Sequence, residues 1–324
     1  MKKAPYTVPE SKKVRVLIDT DCHCEADDQY AVAHQLMTPK FDVVGIAAEH
    51  YAKNFGAASV ADSMKQSFNE AQLIVDLMGL HDEVKVYKGC EEQLPDEKTP
   101  VDSEASRFII EEAMKEDDRP LFVTVQGAMT NLASAYLMKP EIAGRMTVIW
   151  IGGGVYPEGG YEFNTINDLN AANVIMDSPV ELWQVPMSVY RTMKVSFAEL
   201  FLKVRPYGEI GRHLVDYMME FNHRFVEYLS EVDQWMPRGV SEAAFRATYP
   251  GGENWQLGDS PVVGLMLTDH EGHYTVEGAP RFEAETCRYL LRPGNPRKIR
   301  VYNYVDTHFI LEDFFAKIKY YFGD

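Results

Sequence analysis

The stretch "VRVLIDTDCHCEADDQYAVAHQL", residues 14–36, joins an apolar segment to a helical pattern through an acidic loop. Residues 14–18 are apolar except for Arg15 and predict a buried strand. Tyr30, Ala33 and Met37 follow the i, i+3, i+7 spacing and predict an amphipathic helix. Between these segments there is no Lys or Arg, and the acidic residues are Asp19, Asp21, Glu25, Asp27 and Asp28. Such a concentration of negative charge at one strand-to-helix junction indicates a functional site.

Composition limits the possible partners. The chain has 324 residues, 46% of them hydrophobic, and a net charge of −17. Nucleic acids and anionic membranes need a positive footprint, so we predict neither as a partner, whereas a cation or an uncharged nucleoside is compatible. Apolar runs stay well short of the roughly 18 residues of a membrane span. The first residues lack the apolar region of a secretory signal, and we predict a cytoplasmic protein.

The four cysteines do not predict a disulfide framework in a chain of this length. Cys22 and Cys24 flank His23, which raises the alternative of a soft-metal site. Zinc sites usually space their cysteines by two to four residues and add a second ligand pair, which the sequence does not offer. We interpret these residues as reduced thiols in a loop.

Alternating apolar runs and helical patterns predict the fold. The predicted strands are 14–19, 42–48, 121–127, 146–154 and 180–186. The predicted helices are 58–79, 103–116, 130–138, 169–177 and 208–231. This order is typical of an α/β fold with a mainly parallel sheet flanked by helices, a Rossmann-like core. Residues 273–304 predict an added antiparallel hairpin and residues 308–322 a final helix, and we predict one domain over 1–324.

The acids have a physical explanation in such a fold. Ligands bind outside the carboxyl ends of parallel strands. Asp19 and Asp21 follow the first strand, and on an extended chain they would point to the same side. Asp27 or Asp28 could cap the following helix, but a cap leaves the first two acids unexplained. Clustered carboxylates repel one another unless a cation joins them, so we predict a hard divalent cation bound by oxygens.

The segment "DTD…ADDQYAVA" resembles the Asp-x-Asp-Pro-Gly-x-Asp-Asp signature of the nucleoside hydrolases, which are calcium-dependent N-ribohydrolases. Two extra residues separate its second and third acids. Three further segments resemble the family in the same order: "VQGAMTNLASA" (125–135), "WIGGGV" (150–155) with "EFN" (162–164), and "LGDSPVVG" (257–264). Four segments in order make the resemblance specific, whereas each alone is a weak signal.

The resemblance implies a calcium site and a catalytic base. Asp21, Asp28 and Asp259 would be carboxylate ligands of Ca²⁺, and the backbone carbonyl of Gln126 would be a fourth ligand. Waters and ribose hydroxyls would complete an oxygen shell within the range usual for Ca²⁺. Asp21 would also be the general base that takes a proton from a calcium-bound water.

The resemblance also implies a sugar site. Asp27, Glu162 and Asn164 would hold ribose hydroxyls and select the sugar. Gly258 stands where many relatives have the His that protonates the leaving base, so the proton donor is open. Other candidates to contact substrate or supply that proton are His50, Asn54, His223, Trp235 and Trp255.

The predicted function is calcium-dependent hydrolysis of the N-glycosidic bond of ribonucleosides, which gives ribose and free base. The resemblance also implies that the protein is a homodimer or homotetramer. The longer loop and Gly258 motivate an alternative, a non-catalytic or altered-specificity sugar-binding relative. A second alternative is a haloacid dehalogenase-type phosphohydrolase, because Asp19 and Asp21 also fit its Asp-x-Asp. His23 stands where that family expects Thr or Val.

Overall fold

The computed structural model describes residues 2–53, 56–230, 252–268 and 273–323, without side chains for 226–230. Its strands are β1 (Val14–Thr20), β2 (Phe41–Ala48), β3 (Val86–Tyr87), β4 (Leu121–Val125), β5 (Thr147–Ile151), β6 (Glu181–Val185), β7 (Lys194–Ser196), β8 (Asn254–Gln256), β9 (Tyr274–Gly278), β10 (Arg281–Phe282), β11 (Tyr289–Leu290) and β12 (Lys298–Tyr302). Eight of them form one sheet in the order β3-β2-β1-β4-β5-β6-β12-β9. Neighbouring strands are parallel except for β9, which runs antiparallel to β12. The predicted α/β fold with a mainly parallel sheet is confirmed.

Helices cover both faces of the sheet. They are α1 (Asp28–Leu36), α2 (Val60–Leu77), α3 (Glu104–Met114), α4 (Thr130–Met138), α5 (Phe163–Asn167), α6 (Leu169–Asp177), α7 (Met187–Tyr190), α8 (Phe197–Lys203), α9 (Gly208–Ser230), α10 (Pro261–Thr268) and α11 (Thr307–Phe322), with short 3₁₀ turns at Glu10–Lys12 and Pro140–Gly144. In β1, Val16 and Ile18 face the core beneath α1, α2, α9, α10 and α11, and Leu17 faces the core beneath α3, α4 and α6. This alternation explains why consecutive residues 16–18 are all apolar. Within the described residues, each helix is too short or too polar to cross a membrane.

The prediction of an amphipathic first helix was wrong. All nine residues of α1 are buried, including His34 and Gln35. The helix contacts α2, α10 and α11 as well as β2, so it has no solvent face. His34 Nε2 lies 2.7 Å from Asp313 Oδ2 on α11, so the buried imidazole has a hydrogen-bond partner within the protein.

The C-terminal hairpin is more elaborate than predicted. β9 and β12 pair as expected, with Arg300 opposite Val276. Between them, β10 and β11 form a separate two-stranded ribbon. β12 also pairs in parallel with β6, so the C-terminal part of the chain extends the central sheet.

Candidate active site

A cavity of about 380 Å³, part of it open to solvent, lies at the carboxyl ends of the central strands. β1, β4 and β5 each end beside it, so the loops that follow them supply its walls, as expected for an open α/β sheet. The acidic side chains that line it are Asp21, Glu25, Asp27, Asp28, Glu162 and Asp259. The acidic loop identified in the sequence therefore faces one cavity together with acids from much later in the chain.

Three of these acids form a tight cluster. Carboxylate oxygens of Asp27, Asp28 and Asp259 all lie within 4.8 Å of one another, and the three residues are buried. The chain brings them together because Asp28 begins α1, Asp27 precedes it, and Asp259 lies just before α10, which packs against α1. Thr20 Oγ1 donates a hydrogen bond to Asp28 Oδ1. We call these three residues with Asp21 the cavity cluster.

Burial and mutual repulsion raise the pKa values of the cavity cluster. The pKa of Asp28 rises to about 8, mainly through burial and then through the charge of Asp27. Burial raises the pKa of Asp27 to about 6, and backbone N–H groups of Gly258 and Asp259 partly offset the rise. The pKa values of Asp21 and Asp259 lie well above the usual range, through burial and then through the negative charge of Asp28. A divalent cation would relieve this repulsion.

The donor set fits a hard cation such as calcium. Its candidate ligands are carboxylate oxygens, which Ca²⁺ prefers. Asp21 Oδ2 is buried and has no hydrogen-bond partner among the described residues, so it is available as a ligand or a base. Gln126 also lines the cavity, and its side-chain Oε1 accepts a hydrogen bond from Gln35 Nε2 at 2.7 Å. All four cysteines are unpaired and buried, in agreement with the prediction of reduced thiols.

Glu162 is held by protein donors. Its Oε2 accepts hydrogen bonds from Gly153 N at 2.9 Å, Thr165 N at 3.0 Å and Thr165 Oγ1 at 2.7 Å. Its Oε1 accepts from Asn164 N at 3.1 Å and from Tyr190 Oη at 3.2 Å. Glu162 thereby caps the N-terminus of α5 and is fixed at the cavity wall. Asn164 lies beside it, with Nδ2 donating to Ile151 O at 2.8 Å.

A second group of buried polar residues lies beside the cavity cluster without lining the cavity. We call it the inner network, and it consists of Asp19, Glu49, His50, Thr130, Asn131 and Asp168. Asn131 Nδ2 donates to Asp19 Oδ1 at 2.9 Å, and Asn131 N donates to Glu49 Oε2 at 2.9 Å. The expectation that Asp19 and Asp21 face the same site is therefore wrong. β1 ends at Thr20, and the extended geometry that the expectation assumed does not continue to residue 21.

His50 belongs to this inner network. Its Nε2 lies 2.9 Å from Thr130 Oγ1, and its side chain is fully buried. Burial lowers its pKa to about 3, which keeps the imidazole neutral. His50 follows the second strand as the sequence indicates, but the structure places its side chain outside the residues that line the cavity.

The remaining candidates also lie away from the cavity or outside the described residues. His223 is exposed on α9. Trp255 is buried against Phe221 and Phe225, so it is a core residue. Asn54 and Trp235 lie outside the described residues.

Five residues that line the cavity were given no individual role by the sequence reasoning: Cys24, Glu25, Ile151, Phe163 and Tyr190. The first two belong to the lengthened loop, and their place in it was the available signal. Tyr190 follows the predicted strand at 180–186, so its position at a carboxyl end of the sheet could have indicated it.

The fold and the carboxylate-lined cavity define an α/β protein with a candidate site for a divalent cation. A sequence model described as inosine-uridine preferring nucleoside hydrolase matches residues 16–309, and the chain belongs to this family. This match goes against the haloacid dehalogenase interpretation. It confirms the family resemblance that four short segments carried.

The individual relatives are distant. The chain is 27% identical over 194 residues to the inosine-uridine preferring nucleoside hydrolase of Crithidia fasciculata, covering 52% of this chain and 58% of that one. The chain thus spans a little over half the length of this relative, and of a second from Leishmania major that is 24% identical. A plant nucleoside hydrolase superposes with a TM-score of 0.68 at 17% identity, covering 94% of this chain and 98% of the other. A purine-preferring ribonucleoside hydrolase from Gardnerella vaginalis superposes with a TM-score of 0.66 at 20% identity, covering 95% and 99%. At these identities the superpositions show the fold.

Proposed function

We propose that the protein hydrolyses the N-glycosidic bond of ribonucleosides and releases ribose and free base. The observation that carries this proposal is the meeting of Asp21, the Asp27–Asp28 pair and Asp259 in one cavity with Glu162 and Asn164. Cleavage of an N-glycosidic bond develops positive charge on the sugar ring. A fixed set of carboxylates stabilises that charge electrostatically.

We propose Ca²⁺ as the cofactor. Asp21, Asp28, Asp259 and the backbone carbonyl of Gln126 would hold it, and the tight cluster adds Asp27 as a further candidate ligand. When bound, the cation supplies positive charge that orients water and the sugar diol. Family membership supports a metal, and the all-oxygen donor set supports calcium among metals.

Asp21 is proposed as the general base. Its buried Oδ2 lacks a hydrogen-bond partner among the described residues, so one oxygen is free to accept a proton from the attacking water. Gly127 supports its position, because a Cβ there would lie 2.9 Å from Asp21 Cγ and would displace the carboxylate. Asp27, Glu162 and Asn164 are proposed to hold the ribose hydroxyls.

Family membership supports further proposals about the whole protein. We propose that residues 1–324 form one domain, that the protein acts in the cytoplasm, and that it assembles as a homodimer or homotetramer. Light scattering coupled to size-exclusion chromatography measures the assembly.

The deciding experiment is a turnover assay with EDTA-treated and calcium-restored protein. Substrates are inosine, adenosine, guanosine, uridine, cytidine and p-nitrophenyl riboside, and free ribose is the readout. Calcium-dependent release from nucleosides is expected. Because p-nitrophenolate leaves without a proton, release from that riboside alone would mean that the site lacks a working donor for natural bases. Calorimetric titration with Ca²⁺ reports the cation site independently of turnover.

Gly258 and the lengthened loop favour one second candidate, a ribose-binding relative without turnover of common nucleosides. Calcium binding with no release of ribose from any of the six compounds would support it over the hydrolase.

A further inference from the structure

The ring of Tyr190 fills the space beside Gly258 at the cavity wall. A Cβ built on Gly258 would lie 3.1 Å from Tyr190 Cδ2 and 3.1 Å from Asp27 Oδ2. Contacts this short require a neighbour to move. The Tyr190 ring therefore occupies space that a larger residue at position 258 would need, and both residues line the cavity beside the cavity cluster.

The hydroxyl of Tyr190 is aimed at the sugar site by the backbone around it. Tyr190 ends the short helix α7, whose first residue donates from Met187 N to Gly153 O at 2.9 Å. Gly153 N in turn donates to Glu162 Oε2, and Tyr190 Oη donates to Glu162 Oε1 at 3.2 Å. The backbone of Gly153 thus bonds both the Glu162 carboxylate and the helix that carries the Tyr190 phenol, and it fixes their relative position.

Tyr190 supplies a donor to a cavity that is rich in acceptors. Six acids line the cavity, whereas its side-chain N–H donors are the amides of Gln126 and Asn164, and one N–H of Asn164 already donates to Ile151 O. Burial, and then the charge of Glu162, raises the pKa of Tyr190 well above its ordinary value, so the phenol keeps its proton. A sugar hydroxyl both donates and accepts, and it can therefore bridge a phenol and a carboxylate.

We propose that Tyr190 is a substrate-binding residue that takes the place left by Gly258: when substrate binds, the Tyr190 hydroxyl exchanges its direct hydrogen bond to Glu162 for one to a ribose hydroxyl, which in turn donates to Glu162. This inference rests on the proposed function and adds to it a residue that selects for a hydroxylated sugar. A site built to bond a hydroxyl discriminates against the analogue that lacks it, because its polar groups are left unpaired.

The test compares wild type and Tyr190→Phe with inosine and its 2′-, 3′- and 5′-deoxy analogues. The variant is expected to lose about tenfold or more in kcat/KM with inosine, the equivalent of one good hydrogen bond. With one deoxy analogue the loss is expected to vanish, and that analogue identifies the bridged hydroxyl. Equal losses with all four substrates, or no loss with inosine, would overturn the proposal. Tyr156→Phe is the matched control, because Tyr156 packs against Tyr289 and does not line the cavity.

A second comparison tests the pairing with Gly258. Gly258→Ala is expected to lower kcat/KM about tenfold in wild type, and by less than about threefold in a Tyr190→Ala background, because contacting residues are non-additive. Equal losses in both backgrounds would assign the clash to Asp27 and overturn the pairing.

The failure of the proposed function is distinguishable from the failure of this inference. If wild type releases no ribose from any nucleoside, the hydrolase proposal fails. Tyr190 is then tested by calorimetric binding of formycin B and pseudouridine, ribosides whose carbon–carbon bond resists hydrolysis. Binding about tenfold weaker in Tyr190→Phe would support the residue's role, and binding equal to wild type, or absent from both, would overturn it.

Discussion

Asp19 and Asp21 stand two residues apart where β1 ends, yet they belong to regions with opposite chemistry. Asp19 lies in the inner network, where the Asn131 amide donates to it and the nearby Glu49 accepts two backbone N–H groups. Asp21 lies in the cavity cluster, where its near neighbours are other acids. Both regions are buried and acidic. Asp19 Oδ2 and Asp21 Oδ2 both lack a hydrogen-bond partner among the described residues. The two regions differ in access, because Asp21 lines the cavity and can meet a ligand there, whereas Asp19 does not line it.

The largest expected effect separates the two aspartates directly. Asp21→Ala removes both the proposed base and a cation ligand, and we expect turnover to fall by about 10³-fold or more. Asp19→Asn keeps the shape and an acceptor for Asn131, and we expect turnover within about threefold of wild type, since a conserved hydrogen bond changes little. Steady-state kinetics with inosine measures both. Activity retained by Asp21→Ala would break the comparison, and so would loss of activity in Asp19→Asn with a normal melting temperature.

Asn131→Ala probes the inner network through stability. Its side chain bonds Asp19 Oδ1, Ala48 O and Cys90 N, and the substitution leaves these buried groups unpaired. We expect the free energy of unfolding to fall by about 3 kcal/mol or more, since three buried groups lose a partner and each unsatisfied group costs about 1–3 kcal/mol. Urea denaturation measures this loss. Calcium affinity by calorimetry is the control and should stay near the wild-type value, because Asn131 does not line the cavity.

The pH dependence of stability sharpens the contrast. The pKa of Asp28 is about 8 and that of Asp27 about 6 in the folded protein, both raised above the unfolded value of about 3.9. Between the unfolded pKa and the folded pKa of each group, the folded state binds more protons than the unfolded state. The calcium-free protein should therefore lose stability as the pH rises from about 4 to 8, by up to about 1.4 kcal/mol per pH unit for each group.

The two regions contribute separately to that slope. Asp28→Asn should remove one contribution to the pH dependence of stability. Saturating calcium should remove the same contribution from the wild-type protein. Burial raises the pKa of Asp19 to about 7, so Asp19→Asn should remove a part that persists in saturating calcium. Denaturation at a series of pH values with and without calcium measures both parts. A slope that neither variant alters would contradict the assignment of these pKa values.

The smallest effect is expected outside both regions. His223 is exposed on α9, so His223→Ala should change stability by less than about 0.5 kcal/mol. Its kcat/KM with inosine should match wild type. A large loss of activity with unchanged stability would show that this surface reaches the substrate.

Much of the fold was predictable because buried parallel strands are apolar on both faces. The five predicted strands agree with β1, β2, β4, β5 and β6 to within a few residues. β3 has two residues, too few for a periodic signal. The burial of α1 depends on α10 and α11, which lie more than 200 residues later in the chain, and local spacing carries no such information.

The candidate site was predictable at its acids and less so elsewhere. Asp21, Asp28 and Asp259 carry motif signals, and the structure brings them to one cavity with Glu162 and Asn164. His50 lies at the correct end of its strand, but Thr130 on a neighbouring helix determines where its ring bonds. Side-chain direction of this kind follows from tertiary contacts.

The pairing of β12 with β6 has a consequence for synthesis on the ribosome. A nascent chain that has emerged through residue 290 contains every residue that lines the cavity, yet β6 still lacks its neighbour from residues 298–302. An open strand edge is a template for pairing with other chains. A premature stop codon in this interval would therefore yield a polypeptide with a complete set of site residues and an exposed edge, which is expected to aggregate before it can act.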